Sequence, residues 1–574
     1  MVFKVRMRLT SPPIFAILVL ATALDSAAYA STYVVYIPMD SPIYTELDTL
    51  NSLGMLETYL SEVKPISRVE AARLTLEAER LISQREGAPS PALPLAREMI
   101  ADLRAELAEE IGWLENDAED DQPTMLKPIE RIEVQYVYSA GQRRGFGPFD
   151  NQGEQLYATE ATPLLPNNDD LPTSIGSNEV FRTSGWAGLK GFFTLYGEGA
   201  VAGPITRSPQ GVDHSTRDRV SLLRGEAVAD FGNAAISFGE HEMYWGTGHF
   251  GSLSEGDNAR PFPALRVANV HPSYLPGFLR YLGPMRYEVF FGQLDHYRPF
   301  EQPPGLRTRS FPYPWLSGQI VVFKPLSTFE IGITHVIMFG GSGNDNYSWM
   351  GFFGRATGIS PGNPASGNTN SQAGFTTKFY LPRLRNSYLY LDVLGEDNLT
   401  SEVPKIGGAL PFAAVSYQGG IFVPRVTADG LTTARLEFLD TSQRYGFHSD
   451  SLYWAYKDRL MGNPIGPNAF QINVGVGRWL SRSLKMDVDY FHTERDPEIT
   501  NGGGNTEFSN GMSIDLLRLP QPEISLRDSL VGVNLYTALE WVNNLNTAPG
   551  VNALRAVAQL SVSVDPASST WRFH

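Results

Sequence analysis

Cysteine is absent from the 574 residues, which excludes a disulfide framework, a thiolate metal site and a cysteine nucleophile. Past residue 30 no uninterrupted apolar run reaches the roughly 18 residues that a membrane-spanning helix needs, so a chain crossing a membrane would have to cross it with strands. Charge is sparse as well. Asp, Glu, Lys and Arg make up 19% of the residues, the formal net charge is −16, and Lys and Arg form no run. A nucleic-acid partner, which needs a basic face, is excluded on that ground. What is abundant is Gly (54), Phe (31), Tyr (25) and Trp (9), the composition of many strands with one apolar and one polar face.

The first thirty residues have the layout of an export signal. Lys4, Arg6 and Arg8 form a basic start, Ile14 to Leu24 an apolar stretch, and Ala28-Tyr29-Ala30 a small-x-small cleavage site before Ser31. Residues 31–126 then carry helical spacing and read as a small periplasmic bundle. Ser41-Pro42 offers a cap residue followed by an N1 proline, with Tyr44, Leu47, Leu50 and Leu53 on one face up to Gly54. Ser67-Arg68-Val69-Glu70 fits a capping box, with Val69, Ala72, Leu76 and Leu81 as its apolar stripe. A third helix is predicted from near Ser90-Pro91, with Leu95, Met99, Leu103, Leu107 and Ile111 at four-residue intervals. The acidic run Asp117 to Asp121 marks a solvated boundary; it lacks the spacing of a calcium loop.

From residue 127 to 574 the period becomes two. Ile132, Val134, Tyr136 and Tyr138 alternate with Arg131, Glu133 and Gln135, and Ala556, Ala558, Leu560, Val562 and Val564 alternate with Arg555, Gln559, Ser561 and Ser563. Segments of about ten residues suit tilted strands in a bilayer. Short turns fall near 231–233, 282–284, 325–328, 382–386 and 480–483. Longer connections fall at 139–178, 202–216, 244–263, 297–314, 340–371, 397–410, 441–467 and 494–506. The two kinds interleave, which predicts an outer-membrane antiparallel β-barrel of about 18 strands preceded by the helical bundle, with short turns periplasmic and long loops outside. Asp565 to His574, broken by Pro566, reads as a short tail, the alternative being an intact final strand that ends at Phe573.

The stretch YWGTGHFGSLSEGDNARPFPALRV, Tyr244 to Val267, is too rich in glycine, aromatic and polar residues for a linker and reads as a structured insertion, with the mixture that a sugar-binding surface or a packed plug needs. Gly246, Gly248 and Gly251 match G-x-G-x-x-G, but Gly256, Pro261 and Pro263 leave no room for the helix that a dinucleotide fingerprint opens. His241-Glu242 starts an H-E-x-x pattern, yet Trp245 stands where a zinc protease has its second histidine. With no Ser-His-Asp pattern, metal-ligand spacing or phosphate loop, the chain reads as noncatalytic, without metal or cofactor. Carboxylate pairs such as Glu255 and Asp257, which glycoside hydrolysis could use, arise by chance in so acidic a chain.

The segment WGTGHFGSLSEGDNARPFPAL, together with SPIYTELDTLNSLGML, KPISRVEAARL, FFGQLDHYRPF, LYLDVLGED and YWAYKDRLMGNPIGPNAF in that family's order, resembles the capsule assembly Wzi family of outer-membrane proteins. The resemblance implies an 18-stranded barrel occluded by its loops, which holds capsular polysaccharide to the cell as a surface lectin. A glycan binder needs aromatic platforms beside carboxylate, amide and guanidinium groups. The candidates are Trp245, His249, Asp257, Asn258 and Arg260, then Asp345, Tyr347 and Trp349, then Tyr453, Trp454, Tyr456, Lys457 and Arg459. Arg260 has a second expected role, pairing with Glu240 or Glu242 to hold the plug. Expected partners are capsular or extracellular polysaccharide and outer-membrane lipid, with the chain a monomer; the competing reading is a porin or export channel.

Overall fold

The computed structural model describes residues 32–574 apart from 85–91, 116–122, 204–219, 296–312, 343–368, 397–414 and 497–504, short stretches inside 147–174, 443–458 and 521–528, residues 567–569 and residue 574. Four helices open it: α1 (Pro42–Ser52), α2 (Arg68–Gln84), α3 (Leu93–Glu106) and α4 (Ala108–Glu115). The barrel strands are β1 (Thr124–Ala140), β2 (Gly176–Leu189), β3 (Phe193–Gly203), β4 (Val220–Asp230), β5 (Ala234–Glu240), β6 (Pro263–Asn269), β7 (Pro284–Gln293), β8 (Trp315–Leu326) and β9 (Phe329–Phe339). They continue as β10 (Thr369–Leu381), β11 (Ser387–Glu396), β12 (Val415–Val423), β13 (Thr432–Asp440), β14 (Ala469–Trp479), β15 (Leu484–Arg495), β16 (Glu507–Arg518), β17 (Ser529–Asn543) and β18 (Ala553–Pro566).

Neighbouring strands pair antiparallel around a closed ring. The seam is β1 on β18, in register from Ile132 opposite Val564 to Ala140 opposite Ala556. Below it, Trp571–Phe573 pairs with Thr124 to Leu126. This corrects the tail reading of 565–574: the chain regains the sheet beyond Pro566 and closes the lower seam. Closure leaves no unpaired edge.

Parity follows the sequence. Tyr136 is 47% exposed on the outer face, whereas Gln135 beside it is 7% exposed; Leu560 faces out as Arg555, Ser561 and Ser563 are buried within. An apolar outer band around a polar interior is what a bilayer demands of a barrel.

The helices cover the end that carries the short turns. Ser41 Oγ accepts from the Ile43 amide at the start of α1, with Pro42 at N1. Half of the expected capping box forms on α2: the Glu70 amide donates to Ser67 Oγ, but the Glu70 carboxylate goes to Arg73 and His271. The third predicted helix is two, because Leu107 leaves helical geometry at φ −102°, ψ 20°. The Leu107 and Ile111 amides still bond back four residues, to Leu103 and Leu107, so the apolar spacing runs through the break. Leu47, Leu50, Ala72, Met99 and Leu103 form one core that includes Trp479 and Leu519 at the strand ends, and this apolar contact seats the bundle on the rim.

Two parts of the helical region enter the ring. Residues 32–40 climb the inner wall from Asp230, which takes the Thr32 amide, to Asp40, which pairs with Arg131 and Arg182. Farther on, Val63–Lys64 forms an antiparallel pair with Tyr244–Trp245.

Candidate functional site

The stretch after β5 folds into the lumen and is tied down by side chains of distant strands. The Gly246 amide donates to the Glu62 carbonyl, extending the short sheet with Val63–Lys64. The Thr247 amide and hydroxyl both reach Asp392 on β11, the amide at 2.8 Å. Glu437 on β13 accepts the His249 amide at 2.8 Å and the Phe250 amide at 3.3 Å. It is itself held by Tyr390 Oη at 2.6 Å and Gln418 Nε2 at 3.1 Å, while Gln418 Nε2 also donates to the Gly251 carbonyl. Buried carboxylates that accept several N–H or O–H donors are satisfied without a counter-cation.

This geometry explains the glycines. A Cβ at Gly248 would lie 2.0 Å from Gln418 Nε2 and 2.4 Å from the Gly251 carbonyl oxygen, and Gly251 has φ +134°. The pattern that imitates a dinucleotide fingerprint is a backbone pressed against wall side chains.

From the long-loop end, the described residues of 441–467 lock over the plug. Tyr445 Oη donates to the Leu253 carbonyl and accepts the Asn463 amide, and the Gly256 amide donates to the Met461 carbonyl. On the opposite side the loop after β1 is pinned by an ion cluster. Arg144 lies 2.7 Å from Glu507 and 3.0 Å from Glu540, Arg495 lies 2.7 Å from Glu507, and Arg555 pairs with Glu540 at 2.7 Å and with Glu160. The cluster is charge-balanced, three guanidiniums to three carboxylates, which is how buried charges avoid their desolvation cost.

Most of the aromatic candidates lie inside this assembly. Trp245 is 2% exposed, donates to Glu288 at 3.3 Å and packs on Phe290. Tyr453, Trp454 and Tyr456 are buried, the last against Phe262, and buried Arg459 donates to Thr159 Oγ1. In this arrangement none of these rings has a face open to a sugar. Asn258 donates to the Leu460 carbonyl, Asp257 is half-buried beside it, and Lys457 stands over the Tyr456 ring. Asp345, Tyr347 and Trp349 lie outside the described residues. The expected partner of Arg260 changes. Arg224 takes Glu242 at 2.5 Å, Arg260 donates to the Leu222 carbonyl, and its charge reaches Glu240 only through space.

Sequence reasoning missed Asp392, Gln418 and Glu437. Each stands at an inward position of a strand otherwise read as a membrane span, and that parity was the available signal. Below the plug, between its Gly246 to His249 turn and α1, lies a cavity of about 180 Å³. The exposed His249 ring stands in it. Among the described residues no group of three or more His, Asp and Glu converges as a metal site would.

Similarity to known proteins agrees with this architecture. A solved outer-membrane protein of Escherichia coli, Wzi, described as involved in group 1 capsule assembly and as a carbohydrate-binding β-barrel, superposes with a TM-score of 0.59 at 18% identity, over 92% of this chain and 98% of that one. An uncharacterized 55.8 kDa protein in the cps region of Klebsiella pneumoniae is 30% identical over 215 residues, 36% of this chain. The match spans only 38% of that relative's length. Capsule assembly protein Wzi is also the family whose sequence pattern matches residues 149–553, a span that runs from the loop after β1 to the start of β18 and takes in the plug and every wall residue that holds it; the chain belongs to the Wzi capsule assembly family.

Proposed function

We propose that the protein is a noncatalytic outer-membrane lectin that attaches exported capsular or extracellular polysaccharide to the cell surface. In this reading the helical end faces the periplasm and the long-loop end faces outward. The observation that carries it is the plug: 244–263 lies in the lumen, bonded to wall carboxylates and overlain by the described residues of 441–467. A barrel so built is a rigid platform for loops, not a conduit. Family membership supports a role with capsule, and the carbohydrate binding stated for the E. coli barrel supports a glycan ligand. Many weak contacts to a repeating polymer sum to strong retention, so no deep sugar pocket is required.

The test is the partition of surface polysaccharide between cell pellet and medium in a strain lacking the chain. Attachment predicts unchanged total polymer, shifted from pellet to medium. An unchanged partition sinks the reading and moves an export channel to first place.

A further inference from the structure

One register level of the inner wall, below the plug, carries a set of side chains that the plug does not use. Tyr380 stands opposite Tyr388, Tyr388 opposite Phe422, Phe422 opposite Arg435, Arg435 opposite Gly475, and Gly475 opposite Asp489. Each strand from β10 to β15 thus gives one residue to a single row, and the whole row lines the cavity beneath the plug. Pro424 and Gly430, from the turn between β12 and β13, line it too, so the cavity extends to the short-turn rim.

The row divides into an apolar and a charged half. The ring centroids of Tyr380 and Tyr388 are 5.6 Å apart, and those of Tyr388 and Phe422 are 5.2 Å apart, an unbroken aromatic strip. The Arg435 guanidinium stands 4.8 Å over the Phe422 ring. Other cations at the cavity are engaged: Lys485 with Asp487 at 2.8 Å, Lys64 with Asp48 at 3.7 Å, and Lys378 with Ser61 Oγ. The Arg435 charge acts on Asp489 and Glu437 only through space. Beside it two glycines leave their wall space to carboxylates. A Cβ at Gly475 would lie 2.2 Å from Asp489 Oδ1, and one at Gly477 2.2 Å from Asp487 Oδ1. Val474 and Val476, before and between them, face outward at 44% and 48% exposure.

Aromatic faces take the C–H face of a pyranose, a guanidinium grips a carboxylate with two parallel hydrogen bonds, and carboxylates accept hydroxyls. A neutral sugar would leave the Arg435 fork unused. We propose that this row is a glycan subsite reached from the helical end of the barrel, which takes a uronic-acid residue of an acidic saccharide, its carboxylate on Arg435 and its ring on Tyr388 and Phe422. The ligand class rests on the lectin reading; the site lies on the opposite side of the plug from the outer loops.

The test is calorimetric titration of the full chain in detergent with trigalacturonate, with maltotriose as the uncharged control. Trigalacturonate should bind at least about tenfold more tightly than maltotriose, and Arg435→Gln and Tyr388→Leu should each weaken it by about tenfold or more. Bound trigalacturonate should also protect Lys485 of the unaltered protein from amine acylation, a readout that stands if a variant fails to fold. Equal affinity for the two trisaccharides, unchanged affinity in both variants, or acylation of Lys485 indifferent to ligand overturns the proposal. An unchanged polymer partition in the strain lacking the chain would remove the attachment reading alone. Intact attachment by a protein that ignores trigalacturonate would remove this one alone.

Discussion

Gly248 is the residue at which the plug tolerates least. Any side chain there meets Gln418 Nε2 and the Gly251 carbonyl, so Gly248→Ala should cost about 1–3 kcal/mol and lower the thermal unfolding midpoint in detergent; an unshifted midpoint would mean that the turn seats elsewhere. Arg555, fully buried between Glu540 and Glu160, makes a sharper case. Arg555→Met leaves both carboxylates short of a partner and should cost about 3–5 kcal/mol. Adding Glu540→Leu, which leaves Arg144 and Arg495 balanced by Glu507 and Glu160, should recover part of that loss, which a denaturant series on the single and double variants would read. At this scale the sequence disclosed which residue types are present but not their use. The glycines mark the sharp turns of an insertion, but the wall that requires them is invisible in the local sequence: Thr247 meets Asp392 across 145 residues of chain, and Gln418 meets Gly251 across 167. Trp245, Tyr456 and Arg459 looked like glycan contacts for the same cause. Composition cannot distinguish an aromatic that packs a plug from one that faces solvent.

Among the elements, the strands were the more legible. Period-two alternation fixes the face of a strand once one side is apolar, as Tyr136 beside Gln135 on β1 and Leu560 beside Ser561 on β18 illustrate. The end of β18 escaped because Pro566 has no amide to donate and suggested a stop; Trp571–Phe573 pairs again just beyond. The α3–α4 break escaped because Leu103, Leu107 and Ile111 keep their spacing through it. The seating of α2 on the barrel yields a pH prediction. Burial alone would raise the Glu70 carboxyl, but the Arg73 guanidinium and the hydrogen bond with His271 outweigh it and lower the pKa to about 2. The unfolded value is near 4.5, so the folded form favours the carboxylate. This contribution is complete above about pH 5 and is lost as pH falls through about 4.5 to 2. Bundle amides should gain hydrogen exchange across that window, and Glu70→Gln should flatten the dependence; a window unaltered by the variant would assign the effect to another carboxyl.

The whole molecule presents lipid with an outward row and its own interior with the next. Leu560 is the outward residue between Tyr136 and Leu535, so Leu560→Arg should cost about 2–4 kcal/mol and lower the yield of folded, heat-resistant barrel in lipid vesicles. Plugging is a property at the same scale. Planar bilayers holding the unaltered protein should be nearly silent, and Asp392→Ala with Glu437→Ala, which releases the Thr247 and His249 amides together, should open conducting events. Steady conductance without those changes would favour a channel. The pairing of Val63–Lys64 with Tyr244–Trp245, and the seating of 32–40 along the inner wall, moor the helical bundle by two cords, one to the plug and one to the wall. While those cords hold, the helices cannot swing away as a hinged door would.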